Sequence, residues 1–268
     1  MKTYRIFKLV FVILLMTENY AYAEVIANFK LPSAKNLSYR VVANQTVFNN
    51  YKGVQLAEGR ADSLGQFTAK LNIDKEKEVV LFIGDRYYKL WLGKNGLIDM
   101  FEEKGFLKFT GDYAKENEVL YLTKLMRPNL IPGYFAFAKN EAQAHVKMLD
   151  SLEKVRLSIL KSNKNSLTTV FFEQAESETI YFSSYRKSQF AALNQLKTTD
   201  LPDAYFDFWN NFKVMPDGII AKSYLASIND YAEFKIKQKF GHTPANRSKT
   251  INEQFSFLDS LLINNPSH

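Results

Sequence analysis

The chain is 268 residues long, 46% hydrophobic and 24% charged, and contains no cysteine. Disulfide scaffolds, cysteine-ligated zinc, iron–sulfur clusters and thiolate nucleophiles are therefore excluded. With only 11 Gly and 7 Pro beside 15% aromatic residues, collagen-like and disordered compositions are excluded too. The net charge is +7, but basic and acidic residues interleave, as in Lys75-Glu76-Lys77-Glu78. A nucleic-acid binder concentrates its charge on one face, so no nucleic-acid partner is expected. The one dense basic cluster, Lys235–Lys239, reads as a solvated helix face.

Residues 1–23 read as a cleavable signal peptide. Lys2, Arg5 and Lys8 form a basic start, Leu9–Met16 is an unbroken apolar run, and Ala21-Tyr22-Ala23 supplies the small-x-small pattern that signal peptidase accepts. A membrane span needs about 20 apolar residues, and Thr17-Glu18-Asn19 interrupts this run. Cleavage after Ala23, a periplasmic or otherwise exported location and no transmembrane span after cleavage are the expectations.

From residue 24 to 111 the hydrophobic period is two. In Gln66–Ile73, Phe67, Ala69, Leu71 and Ile73 share one face while Gln66, Thr68, Lys70 and Asn72 share the other, as in a half-buried strand. Short runs of similar character occupy Val25–Phe29, Tyr39–Ala43, Val54–Ala61, Glu78–Ile83, Tyr87–Leu92, Leu97–Phe101 and Phe106–Thr110. Turn residues separate them, among them Ser63-Leu64-Gly65 and Gly93-Lys94-Asn95-Gly96. Such regularly spaced short strands predict an antiparallel β-sandwich or barrel.

After Gly111 the period turns helical. Asp112–Met126 opens the change, and Glu141–Lys161 carries Ala142, Val146, Leu149, Leu152, Val155 and Ile159 on one stripe. Leu167–Ser183 reads as a helix, with Thr168–Phe172 also compatible with a strand. Asp203–Phe212 is a short aromatic helix after Pro202. Tyr224, Ile228, Tyr231 and Phe234 mark another helix, and Thr250 with Glu253 forms a capping box for the last. The expected fold is α+β: a signal peptide over 1–23, an N-terminal antiparallel β-sandwich over 24–111 and an α-helical region over 112–268.

No phosphate loop, dinucleotide fingerprint, HExxH, nucleophile elbow or calcium loop occurs. The histidines His145, His242 and His268 stand far apart, and His145 lies beside an apolar stripe, so it reads as a packed or rim histidine. No metal site and no cofactor are expected. The carboxylate pairs Glu102-Glu103, Glu176 with Glu178 and Asp203 with Asp207 read as surface solvation. The dense aromatic clusters read first as packing. On the strand over 87–92, Tyr87, Lys89 and Trp91 share one face, and Tyr87 and Trp91 are the candidates for a ligand platform. No catalytic residue is assigned.

Three stretches carry a resemblance. Ala61-Asp62-Ser63-Leu64-Gly65-Gln66-Phe67 resembles a hairpin of the N-terminal β-domain in Bacteroidetes envelope thiol–disulfide proteins of the TlpA/ResA-like type. Leu90–Gly96 followed by Phe109-Thr110-Gly111-Asp112-Tyr113-Ala114-Lys115-Glu116-Asn117 is similar to the segment where their sheet hands over to helices. Ser223-Tyr224-Leu225 through Phe234 looks like their late helix. The resemblance spans most of Glu24–Asn264. In that family the helical region precedes a thioredoxin-like domain with a Cys-x-x-Cys pair; with no cysteine in this sequence, none of the family's redox residues has a counterpart. Disulfide exchange needs an attacking thiolate, so thiol–disulfide chemistry by this polypeptide is excluded.

The leading expectation is an exported, non-catalytic envelope accessory or binding module that acts by protein or ligand contact. The alternatives are an envelope hydrolase acting on carbohydrate or cell-wall material, and a docking partner for a separate thioredoxin-fold protein.

Overall fold

The computed structural model describes residues 24–43, 53–125, 141–190, 203–212 and 223–240, together with isolated positions at 194, 196 and 201 and between 253 and 260. The signal-peptide segment, His242, His268 and the Thr250 side of the capping box lie outside the described residues.

Eight strands form two four-stranded sheets: β1 (Glu24–Lys30), β2 (Ser38–Ala43), β3 (Val54–Arg60), β4 (Gln66–Asn72), β5 (Lys77–Ile83), β6 (Arg86–Leu92), β7 (Gly96–Glu103) and β8 (Phe106–Gly111). One sheet has the order β4-β1-β7-β8, the other β3-β2-β5-β6. Alternation decides the faces. Val25, Ala27 and Phe29 of β1, Ala69 and Leu71 of β4, and Ile98 and Met100 of β7 point inward. They meet Val41, Val79, Leu81, Leu90 and Leu92 from the other sheet in one buried core.

The pairing is antiparallel everywhere except between β1 and β7, which run parallel from Val25 opposite Gly96 to Lys30 opposite Phe101. The sandwich is therefore mixed rather than wholly antiparallel. Side-chain alternation reports which face is buried and is silent on the partner's direction. The chain leaves β1 for the opposite sheet and returns to it through β4 and later through β7, which brings the parallel neighbour in.

The Asp62–Phe67 hairpin has a local cause. One carboxylate oxygen of Asp62 accepts hydrogen bonds from the backbone N–H groups of Leu64 and Gln66, both at 2.8 Å, the self-bonding turn that Asx residues favour. Gly65 sits at φ +77°, and a Cβ there would lie 2.1 Å from the carbonyl oxygen of Leu31. Only glycine lets the turn close against the end of β1.

Helices follow: α1 (Ala114–Leu125), α2 (Ala142–Asn163), α3 (Thr169–Ser188), a 3₁₀ segment (Asp203–Asn211) and α4 (Tyr224–Phe240). The described positions between 253 and 260 are helical. The fold is thus α+β, with strands first and helices after. α1 packs on both β6 and β8, strands at the edges of different sheets, while β3 and β4 approach each other on the opposite side. One helix therefore closes the flank that the sheets leave open. Among the described residues no helix is long and apolar enough to cross a membrane.

The ambiguous Thr168–Phe172 stretch is the start of a helix. Thr168 is extended, and its hydroxyl accepts from the N–H of Phe171 at 3.3 Å, satisfying one of the donors that a helix start leaves unpaired. α3 packs between α2 and α4, which explains its many small buried polar residues. Thr179 and Ser184 return their hydroxyls to the carbonyls of Ala175 (2.7 Å) and Ile180 (3.2 Å), which satisfies those two side chains within the helix.

The stripe expected on α2 is displaced. The buried residues are Ala142, His145, Leu149, Arg156 and Leu160, whereas Val155 is 42% exposed. The true stripe contains a histidine and an arginine, and a periodicity drawn from apolar residues alone passes over both.

Candidate functional site

The sandwich and the helical region meet around Trp91. Trp91 is buried with Val119 of α1, Leu160 of α2 and Phe171 and Phe172 of α3, and its ring meets that of Phe171 edge-on at 5.2 Å. Polar groups fix this seam. Asn117 accepts from the backbone N–H of Trp91 at 2.8 Å and donates to its carbonyl at 2.8 Å. The edge of β6 is thus paired with a side-chain amide where an exposed strand edge would otherwise invite another strand. The indole N–H of Trp91 donates to Glu76 at 3.2 Å, and the hydroxyl of Thr168 donates to the same oxygen at 2.6 Å. The Thr168 N–H donates to Glu116 at 2.9 Å. Two carboxylates, one before β5 and one on α1, therefore hold the residue that caps the start of α3.

Tyr113 stands over the same seam at φ +58°. A Cβ on Gly93 would lie 1.9 Å from its hydroxyl oxygen, so glycine is what admits the ring. Burial raises the Tyr113 phenol above its ordinary pKa, and the charges of Glu76, Glu116 and Asp112 add to the shift.

A cleft follows this seam. Its outline encloses about 840 Å³ including the part open to solvent, and about 50 Å³ of it admits the centre of a water-sized sphere. Its walls combine inward-facing sandwich residues (Tyr88, Met100, Leu107, Phe109), the α1 residues Leu120, Tyr121, Thr123 and Lys124, and residues of α2 and α3 that include Arg156, Leu160, Gln174 and Glu178. Clefts between two packed units are the default place for a ligand.

The polar groups of the cleft hold the protein together. Lys89 and Glu78, neighbours on β6 and β5, form an ion pair at 3.0 Å with side chains only 15% and 12% exposed. Glu178 accepts from both the N–H and the hydroxyl of Ser223, each at 3.0 Å, and so caps the start of α4 from a different helix. Glu178 is therefore a half-buried anchor engaged with Ser223, not a surface-solvated carboxylate as expected. Arg156, only 7% exposed, carries its guanidinium 5.6 Å from the ring of Phe182.

Tyr87 and Trp91 leave the same face of β6 but meet different surroundings. Trp91 is 2% exposed and Tyr87 46%. Trp91 is shut into the seam and presents no open stacking surface. Tyr87 stands outside, with the Lys124 ammonium 4.9 Å from its ring centre and the Phe82 ring 6.4 Å away. Arg40 in turn lies 4.7 Å from the Phe82 ring. The two candidates do not form a flat aromatic row.

His145 is packed, as its sequence setting indicates. Its ring lies 4.9 Å from that of Phe190. Burial, then the charges of Arg186 and Lys187, lower its pKa to about 4, so the imidazole is neutral at neutral pH. Lys187 beside it is buried and pairs with Asp150 at 2.6 Å and Glu153 at 3.7 Å. Among the described residues no group of three or more histidines, aspartates and glutamates is placed to hold a metal ion. The Lys235–Lys239 cluster runs along the end of α4, with Lys237 3.5 Å from Glu233.

Sequence reasoning missed Lys124, Arg156 and Glu178 as cleft residues. The one available signal was Arg156: it falls seven residues after Leu149 and four before Leu160, a cation placed on an apolar stripe. No protein-family model matches the chain, and no curated protein matches it.

Proposed function

We propose that this chain is an exported, non-catalytic module of a bacterial envelope that works by binding, related to the N-terminal region of TlpA-like thiol–disulfide proteins. One observation carries the reading: at the cleft and along the seam it follows, carboxylates are engaged in holding elements together. Glu78 pairs with Lys89, Glu178 caps α4, and Glu76 and Glu116 hold Thr168. A catalytic cleft instead aims acids, bases and nucleophiles at a common point with shifted protonation. The missing cysteine directs any redox connection to a partner, and a separate thioredoxin-fold protein is the partner that the resemblance implies.

Two measurements test the reading. Residues 1–23 fused to a periplasm-dependent reporter should export it, and a reporter retained in the cytosol would overturn the envelope location. The purified protein incubated with peptidoglycan fragments and with a panel of glycosides should release no product. Turnover that survives repurification would replace this reading with the hydrolase alternative.

A further inference from the structure

The sheet edges differ in how they are closed. β6 is gripped by Asn117, and α1 packs along β8. On β4 the N–H of Gln66 goes to Asp62, and the carbonyl of Thr68 accepts from the Tyr39 hydroxyl at 3.2 Å. β3 is left open. Ala61 donates its N–H to the carbonyl of Leu37 at 2.9 Å, and antiparallel partners alternate between bonded and non-bonded pairs. Gly59 opposite Tyr39 is then a bonded pair, while the backbone groups of Glu58 and Arg60, opposite Arg40 and Ser38, turn away from β2. Among the described residues no hydrogen bond reaches those groups. The bulge between Val41 and Val42 lies toward the Val54 end and leaves Ala57–Arg60 a regular ladder.

The side chains on this stretch identify what fits it. Glu58 and Arg60 are exposed and leave the same face of the strand. Arg40 stands opposite Glu58 but lies over the Phe82 ring, so Glu58 has no ion pair among the described residues. Arg60 engages its Nε with the carbonyl of Asn36 at 2.8 Å and keeps its terminal amino groups for another acceptor. Pairing β3 antiparallel with a second β3 about Gly59 sets Glu58 of each copy opposite Arg60 of the other. Both are residues whose backbone groups face outward, so about four ladder hydrogen bonds and two opposite-charge pairs form together. Gly59 brings no side chain to the axis, and its inner face is filled by the Tyr39 ring of its own chain. Leu64, in the turn beyond Arg60, is 61% exposed, and Val54 at the other end is 48% exposed; the antiparallel arrangement sets the Leu64 end of one copy beside the Val54 end of the other. Charges keep sheet edges apart where like meets like, and here each charge meets its opposite.

We propose that β3 is a self-association edge at which a second copy of this chain pairs antiparallel about Gly59. β3 and β6 are the opposite edges of one sheet. The pairing therefore joins the four-stranded sheets of two copies into one and leaves the cleft of each copy at an outer end. Self-association is independent of what the cleft binds.

Sedimentation equilibrium of the purified protein at concentrations up to about 1 mM, the weak end of specific contacts, tests this together with amide hydrogen exchange. A monomer–dimer equilibrium is expected, with exchange at the Glu58 and Arg60 amides slowing as the dimer forms. Glu58→Arg and Arg60→Glu each set like charges opposite each other in both pairs, and each should weaken association about tenfold. Mixing the two variants in equal amounts puts opposite charges back across both pairs and should restore association to within about threefold of the original. Both positions are exposed, so the circular dichroism spectrum of each variant should stay native, and exchange in the unsubstituted protein tests the edge without any variant. A monomer at every concentration would overturn the proposal and leave the edge to an extended peptide of another protein. So would a dimer whose Glu58 and Arg60 amides exchange as fast as in the monomer. Folded single variants that associate like the original, or a mixture that associates no better than either variant alone, would overturn it as well.

Discussion

The side-chain amide of Asn117 grips the backbone of Trp91 at both its N–H and its carbonyl, each at 2.8 Å. The same amide donates to the carbonyl of Tyr113 at 2.8 Å. One residue on α1 thus continues the β6 edge and ties it to the turn that leads out of the sandwich. Asn117→Leu keeps the volume and removes all three bonds. Leaving buried backbone groups unsatisfied costs about 1–3 kcal/mol each, so a loss of about 2–4 kcal/mol is expected by urea unfolding. A loss below about 0.5 kcal/mol, the range of a neutral surface change, would show that water or a shifted helix replaces the amide.

Gly93 and Tyr113 are coupled by contact. Gly93→Ala places a methyl group where the Tyr113 hydroxyl sits, and overpacking of this kind costs about 1–3 kcal/mol. Tyr113→Ala clears the space at the price of a lost ring. In the double variant the Gly93→Ala penalty should largely vanish, giving an interaction energy of at least about 1 kcal/mol in a double-mutant cycle. Additive losses would place the two residues out of contact.

The two aromatic residues on β6 should separate cleanly in stability. Trp91→Ala empties a buried site and should cost about 3–5 kcal/mol. Tyr87→Ala, at a half-exposed position, should cost no more than about 1 kcal/mol. Equal losses in denaturant melts would contradict the burial difference.

His145 makes stability depend on pH in a defined direction. Its folded pKa is lowered to about 4 from 6.5, so between these values the unfolded chain binds the proton more readily. Stability from this group is fully present above about pH 6.5 and is lost as pH falls toward 4. The full shift from 6.5 to about 4 corresponds to about 3–3.5 kcal/mol, of which about 2.5 kcal/mol falls between pH 7 and pH 4.5. His145→Phe should remove that part of the pH dependence, read as the difference between wild-type and variant unfolding free energies at pH 7 and pH 4.5. A constant difference across that range would mean that His145 titrates normally in the fold.

Asp62 should act through its acceptor oxygen alone. Asp62→Asn keeps an acceptor for Leu64 and Gln66 and should change stability by no more than about 0.5 kcal/mol, while Asp62→Ala should lose about 1–2 kcal/mol. Equal losses in both variants would assign the effect to charge.

Much of the fold was legible because strands announce themselves locally. Gln66–Ile73 alternates cleanly, and β4 occupies Gln66–Asn72. The remaining strands likewise fall within a few residues of their expected positions. Strand direction was not legible: nothing local in Val25–Phe29 distinguishes a neighbour running parallel from one running antiparallel. The seam was partly legible. Tyr113 and Asn117 stood in the hand-over segment, and both prove to sit against β6 or the turn after it. The cleft was hidden for a physical reason. Its walls come from β5 to β8 and three helices, and its charged members, Arg156 and Glu178, sit in helical runs where sequence alone treats charge as solvent-facing.

The place of β1 between β4 and β7 sets an order of assembly. Its antiparallel neighbour begins at Gln66 and its parallel neighbour at Gly96, so the first strand waits for both. Until β7 is available, one side of β1 presents unsatisfied amides, and pairing over such long sequence separations is intrinsically slow. Any process that holds the polypeptide unfolded during that wait protects a strand that would otherwise be open to association.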